Sequence, residues 1–117
     1  MKVLFPINLK GSKYDTKKTI VSTTDPVTIF NAPHSLFTTV KLNIHVVTTA
    51  DMVAREILCI HNGTNAYHTE YAIVSTNDDS ELMDDDFDSL INGNKININI
   101  EPSTATQRTV IVSVVSM

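Results

Sequence analysis

Residues 95–101 read Lys-Ile-Asn-Ile-Asn-Ile-Glu and form the most regular alternation of apolar and polar side chains in the chain. Successive side chains of a β-strand point to opposite faces of the sheet, so the three isoleucines share one face. Residues 40–46, Val-Lys-Leu-Asn-Ile-His-Val, repeat the same period of two. Both segments therefore predict strands with one face in a core and the other face in solvent.

The composition agrees with a fold made of strands. Valine, isoleucine and threonine supply 39 of the 117 residues, a third of the chain. Side chains branched at Cβ fit a pleated sheet better than a helix, which argues against a helical bundle. A chain of 12.9 kDa has the size of one domain. We expect an all-β fold, an antiparallel sandwich of about eight strands over residues 19–117, of either jelly-roll or immunoglobulin-like type.

Two Asn-Gly pairs punctuate the predicted strands. Asn62-Gly63 lies between the apolar run of residues 57–60 and the β-rich run of residues 66–74, and Asn92-Gly93 precedes the alternating segment described above. An Asn-Gly pair tolerates the positive φ angles that a tight hairpin turn requires. Both pairs therefore predict hairpins.

The first hairpin belongs to a longer motif, residues 61–71, which read His-Asn-Gly-Thr-Asn-Ala-Tyr-His-Thr-Glu-Tyr. A hairpin turn alone requires only the Asn-Gly pair of this motif. With the hairpin at residues 91–93 and the alternating strand that closes at Pro102, this run resembles a β-sandwich module of virion structural proteins of tailed bacteriophages. The resemblance covers about residues 40–115. The chain departs from the pattern at residues 77–88, where an acidic segment replaces a short loop that contains glycine.

The resemblance implies a structural protein of a phage particle. It implies a head decoration or auxiliary protein that contacts major capsid chains, with a tail-fibre or neck component, including a receptor- or carbohydrate-binding module, as the alternative. It also implies association with other virion proteins, self-association, and a location in the virion after synthesis in the host cytoplasm. The first residues lack the long apolar region of a signal peptide, and no stretch reaches the ~20 apolar residues of a membrane span.

The net charge of −4 divides unevenly along the chain. Residues 1–18 hold five lysines and one aspartate, a net charge of +4, whereas the remainder holds four basic and twelve acidic residues, a net charge of −8. We expect a basic N-terminal arm that contacts a partner chain, while the acidic body disfavours nucleic acid. The proposed partner contacts are Lys2, Lys10, Lys13, Lys17 and Lys18.

The acidic segment is the strongest candidate for an ion site. Calcium takes six to eight oxygen ligands, and the low-ranked candidate ligands are Asp84, Asp85, Asp86 and Asp88. No glycine stands where a calcium-binding loop needs its sharp turn, so a solvated acidic loop is favoured. No other feature of the sequence predicts a cofactor.

Histidine and cysteine offer a weaker metal hypothesis. His61 and His68 flank the first predicted hairpin, Cys59 is two residues from His61, and His34 and His45 are distant in sequence. Zinc requires three or four converging ligands, so we expect no zinc site, and we expect His61 to position the hairpin turn.

No motif of an enzyme occurs in the sequence. Cys59 stands in an apolar run where burial raises a thiol pKa, and neither a nucleophile elbow nor a phosphate-binding loop is present. We therefore expect no catalytic residue and no enzymatic activity.

Two tyrosines belong to the strand after the first hairpin. Tyr67 and Tyr71 share a predicted face with Thr69 and Ile73, so we expect them in the sandwich core. The alternative of a sugar-binding module predicts instead an exposed aromatic platform at Tyr67, Tyr71 or Tyr14.

Overall fold

The computed structural model describes residues 16–117, and residues 1–15 lie outside the described part. These residues form eight strands and two short 3₁₀ turns, with no α-helix among them. No helix in this range is long and apolar enough to cross a membrane. The strands are β1 Thr16–Val21, β2 Val27–Pro33, β3 Thr39–Val47, β4 Met52–His61, β5 Ala66–Ser75, β6 Asp86–Asn92, β7 Lys95–Glu101 and β8 Arg108–Ser116, and the 3₁₀ turns are His34–Leu36 and Glu81–Asp84.

The eight strands form two antiparallel sheets, which confirms the predicted sandwich. One sheet has five strands in the order β1-β8-β3-β4-β5, and the other has three in the order β2-β7-β6. The first strand pairs with the last, and the second pairs with the seventh. In the immunoglobulin order the first strand pairs with the second, so this nested pairing favours the jelly-roll alternative.

The core lies between the inner faces of the two sheets. Ile96, Ile98 and Ile100 of β7 are each at most 1% exposed, as the alternation of residues 95–101 predicts. The four apolar residues of the alternating segment in β3 are fully buried against them from the other sheet. Period-two burial on both sheets therefore creates the core that the sequence requires.

Both Asn-Gly pairs lie in hairpin turns. Gly63 and Gly93 have φ angles of +87° and +65°, and an added Cβ at either glycine meets no atom within 4 Å. Glycine is therefore favoured at both positions by the positive φ angle, and not by a lack of room for a side chain. In the first turn the Asn62 side-chain oxygen accepts hydrogen bonds from the backbone N–H groups of Thr64 and Asn65.

Strand β5 contains a β-bulge that the sequence does not announce. Ala54 of β4 pairs with Val74 and Glu56 pairs with Tyr71, so Ala72 and Ile73 together lie opposite Arg55. Ala72 has a φ of +53°, a left-handed conformation that costs an alanine about 1–2 kcal/mol. The extra residue shifts the alternation of β5 beyond Tyr71.

Two features of the strands differ from the prediction. Lys17 and Lys18, assigned to the arm from their charge, lie in β1, paired with Val112 and Ile111 of β8. Lys2, Lys10 and Lys13 fall outside the described residues. The apolar run of residues 109–115 predicts a strand covered on both faces, but the alternate residues of β8 are only half-buried because nothing in the described chain covers the outer face of the five-stranded sheet.

Candidate functional site

Tyr67 and Tyr71 lie on the outer face of the five-stranded sheet. Tyr67 is 54% exposed and lies opposite Ile60, while Tyr71 is half-buried opposite Glu56. The expectation that these rings fill the core is wrong. Both faces of this strand carry apolar residues, so the sequence pattern did not distinguish the inner from the outer face, and the inner face takes His68 and Glu70 instead.

Lys41 and Glu56 form a polar cluster with Tyr71 on the same face. The Lys41 ammonium lies 3.5 Å from Glu56 and 5.7 Å from the centre of the Tyr71 ring. Hydrogen bonding to Tyr71, followed by the charge of Glu56, raises the pKa of Lys41 above its ordinary value. Lys41 therefore keeps its positive charge to a higher pH, where the negative charge of Glu56 balances it.

The acidic segment contains a buried ion pair that the sequence analysis missed. Asp85 and Arg108 are both almost fully buried, and one terminal nitrogen of Arg108 lies 2.8 Å from each carboxylate oxygen of Asp85. The remaining Arg108 donors bond to Thr104 and to the Thr106 carbonyl, and the Ser103 N–H donates to Asp85. This pair holds the segment before β6 against the loop before β8.

The other calcium candidates do not converge on Asp85. Asp84, Asp86 and Asp88 are exposed, and Asp86 and Asp88 point away from the core on the outer face of β6. In the register of the β6–β7 pair, Asp86 lies opposite Glu101, which is also acidic. Within residues 16–117, no group of three or more histidine, cysteine or acidic side chains is arranged to hold a metal ion.

Adding millimolar calcium is expected to leave the melting temperature unchanged. Asp85 already satisfies a buried arginine, and a ligand stabilises a protein only if it binds the folded state. Differential scanning fluorimetry with calcium, and with magnesium at equal ionic strength as the control, measures this. An upward shift specific to calcium would contradict the expectation.

A polar network closes the edge where β5 meets β6. The Ser89 hydroxyl lies 2.8 Å from His68 Nδ1, and Glu70 lies 3.8 Å from His68 Nε2. Glu70 also accepts a 2.8 Å hydrogen bond from the buried Arg55, whose guanidinium stacks 4.8 Å from the centre of the Phe87 ring. Serine, histidine and glutamate also occur together in hydrolases, but here Ser89 is buried between the sheets and Arg55 engages the acid. The arrangement links the two sheets.

The structure separates the residues of the zinc hypothesis. Cys59 lies across from His68 in the β4–β5 pair, whereas His61 is at the end of β4. His61 Nδ1 accepts a 3.0 Å hydrogen bond from the Gly63 N–H, and its Nε2 contacts the Phe37 carbonyl. The prediction that His61 positions the hairpin turn is confirmed. His34 packs edge-on against His61, and His45 is exposed on the outer sheet face.

Cys59 gives the stability a dependence on alkaline pH. Burial raises the pKa of the thiol from 9.0 to about 11, a shift that a hydrogen bond from Ser89 reduces. Between these values the unfolded chain loses the thiol proton and the folded chain keeps it, so the free energy of unfolding falls as the pH rises. Denaturant unfolding below pH 9 and near pH 11 is expected to show a larger loss for the wild type than for Cys59→Ala. Equal losses would contradict this assignment.

Comparisons with known proteins find a likeness of structure. The crystal structure of the tailspike protein of Acinetobacter phage vB_ApiP_P1 matches with a TM-score of 0.61 and 18% identity, covering 99% of this chain and 24% of that one. The tailspike protein of Acinetobacter baumannii phage AM24 matches with a TM-score of 0.48 and 9% identity, covering 88% of this chain and 26% of that one.

These matches extend over only part of the tailspike chains. The present chain spans about a quarter of the length of either one. Searches with protein-family models and against curated proteins find no match. The likeness to the first tailspike therefore shows a shared sandwich fold.

Proposed function

We propose that the chain is a non-enzymatic structural protein of a tailed phage and that it belongs to the tail apparatus. The observation that carries this proposal is the match of nearly the whole chain to part of a phage tailspike. The resemblance of residues 61–71 to virion β-sandwich modules supports the same assignment from the sequence. Of the virion roles that the resemblance implies, the tail role therefore replaces head decoration as the first choice.

A structural role also suits the polar groups of the described chain. The buried Asp85–Arg108 pair, with both side chains 0% exposed, joins two loops. The His68–Ser89 bond joins the two sheets across 2.8 Å. All four side chains bond to partners within the domain. Buried polar side chains that are satisfied in this way make a scaffold rigid.

The basic segment supplies the attachment in this proposal. Lys17 and Lys18 are exposed on β1, the edge strand of the five-stranded sheet within residues 16–117, and the chain before β1 holds Lys2, Lys10 and Lys13. Positive charge at one end of an acidic body suits an acidic surface on a neighbouring virion chain. Self-association and contacts to tail or neck chains follow from the same role.

A truncation tests the attachment. Deleting residues 1–15 leaves β1 complete, so the truncated protein is expected to keep its circular dichroism spectrum and melting temperature but to be lost from purified particles. Replacing Lys17 and Lys18 by glutamine in the full chain is the charge-specific companion. Incorporation of the truncated protein at the wild-type level would refute the role of the arm.

A carbohydrate-binding module is the second candidate, and the exposure of Tyr67 favours it. An exposed tyrosine ring is a surface on which a sugar can stack, and the polar side chains of Lys41 and Glu56 lie farther along the same face, beside Tyr71. Binding of host-surface polysaccharide, measured for the wild type and Tyr67→Ala, tests this role. A glycan array and cell binding that are both negative would remove it.

A further inference from the structure

The outer face of the five-stranded sheet carries a continuous apolar patch at one end of β4 and β5. Leu58, Ile60 and Tyr67 are 38%, 48% and 54% exposed. Ile60 lies directly opposite Tyr67, and Leu58 lies opposite Thr69, so the three side chains are immediate neighbours. Exposed apolar side chains that cluster in this way mark contact surfaces more often than isolated ones do. We call these three residues the outer patch.

We propose that the outer patch is the contact surface between two copies of this chain, which pack the outer faces of their five-stranded sheets against each other. The contact is isologous, so the outer patch of one copy meets the outer patch of the second. This inference goes beyond the virion role, because it concerns the protein alone in solution.

The charge distribution favours this face over the opposite one. A body with a net charge of −8 repels a second copy at most of its surface. The outer face of the three-stranded sheet adds to that repulsion, because Asp86, Asp88 and Glu101 outnumber Lys95 there. The outer face of the five-stranded sheet instead carries Lys18 and Lys41. Together with Glu56, these lysines give it a balance of charge that allows close approach.

The area of the face matches what a stable dimer needs. Five strands at a spacing of ~4.8 Å, with lengths from about 20 Å for β1 to about 33 Å for β4 and β5, give a flat area of roughly 700 Å² per copy. Side-chain relief increases the accessible area above that value. A standard interface buries about 800 Å² per partner, so contact over most of this face is sufficient.

The surroundings of Tyr67 favour a protein partner over a sugar. Its cross-strand neighbour is Ile60, and Leu58 lies one position along the same face. Thr39, opposite Ile60 on β3, completes the border on that side. Aliphatic side chains offer no hydrogen bonds to sugar hydroxyls, but they pack well against a second apolar surface.

Sedimentation velocity on the full 117-residue chain tests the proposal. The wild type is expected to form dimers within the micromolar range, and Ile60→Lys and Tyr67→Lys each to weaken the dimer at least tenfold. Leu36→Lys is the matched control, because Leu36 is 53% exposed but lies in the 3₁₀ turn between β2 and β3 and not in a strand of the five-stranded sheet. Circular dichroism checks that each variant is folded.

Three outcomes would overturn the proposal. They are a wild type that stays monomeric up to about 100 μM, a dimer that Ile60→Lys and Tyr67→Lys leave intact, and a dimer that Leu36→Lys weakens equally. A dimer that depends on the outer patch in a protein absent from phage particles would support this inference and refute the virion role. The two proposals therefore fail separately.

Discussion

Replacing Asp85 by alanine is expected to lower the free energy of unfolding by about 3–5 kcal/mol, because the change strands a buried charge. Asp85 and Arg108 are both 0% exposed at their side chains, and the carboxylate accepts two 2.8 Å hydrogen bonds from Arg108. Glu81 lies 3.8 Å from Arg108 but is 40% exposed at its side chain, so it does not replace the lost partner. Urea unfolding followed by circular dichroism measures the loss.

Two further variants separate the ion pair from its surroundings. Asp84→Ala removes an exposed carboxylate one residue away and is expected to change the free energy of unfolding by no more than about 0.5 kcal/mol. The double variant Asp85→Leu with Arg108→Met removes both charges and is expected to recover most of the stability that Asp85→Ala loses. A loss below about 1 kcal/mol for Asp85→Ala would show that the pair does not hold the two loops together.

Replacing Ile98 by alanine is expected to cost about 2–5 kcal/mol, from the lost burial and from the cavity that remains. Ile98 is 1% exposed at the middle of β7, which is the central strand of the three-stranded sheet. This isoleucine therefore faces the five-stranded sheet across the core, where its neighbours are held by their own strands and collapse only partly into the cavity.

Ile20→Ala is the matched control, because it removes the same atoms from a residue that is 64% exposed on β1. Its effect is expected to stay within about 0.5 kcal/mol. The same unfolding measurement serves both variants. Equal losses at the two positions would contradict the assignment of the alternating segment to the core.

Much of the fold follows from local sequence. The alternation in residues 95–101 identifies β7 and its buried face, and the Asn62-Gly63 and Asn92-Gly93 pairs identify two turns, because each signal depends on neighbouring residues. The pairing of β1 with β8 does not follow in the same way. Strand order is set by contacts between residues distant in the chain, and one sequence does not reveal them.

The buried polar residues show where the sequence reasoning was insufficient. The acidic run does not separate Asp85 from its exposed neighbours, because composition does not distinguish one aspartate of the run from another. A signal was nevertheless present. Arg108 is in phase with the buried Val110 and Val112, so its side chain points to the core and needs an acidic partner there.

The predicted inner face of β5 is its outer face in the structure, for a different physical reason. Its pattern places apolar residues on both faces, and the face with the tyrosines is the more aromatic, which predicts that they lie in the core. The structure turns His68 and Glu70 inward because Ser89 and Arg55 satisfy them there. The bulge at Ala72 then changes the phase, and an alanine with positive φ gives no sign of itself in the sequence.

The copy number of this protein in purified phage particles tests the proposed tail role most directly. Quantitative mass spectrometry against the major capsid protein as an internal standard measures it. A component of a closed tail assembly is expected at on the order of ten copies per particle, as cyclic symmetry of a tail implies. Hundreds of copies would identify a head decoration protein instead, and absence from the particles would contradict a virion role altogether.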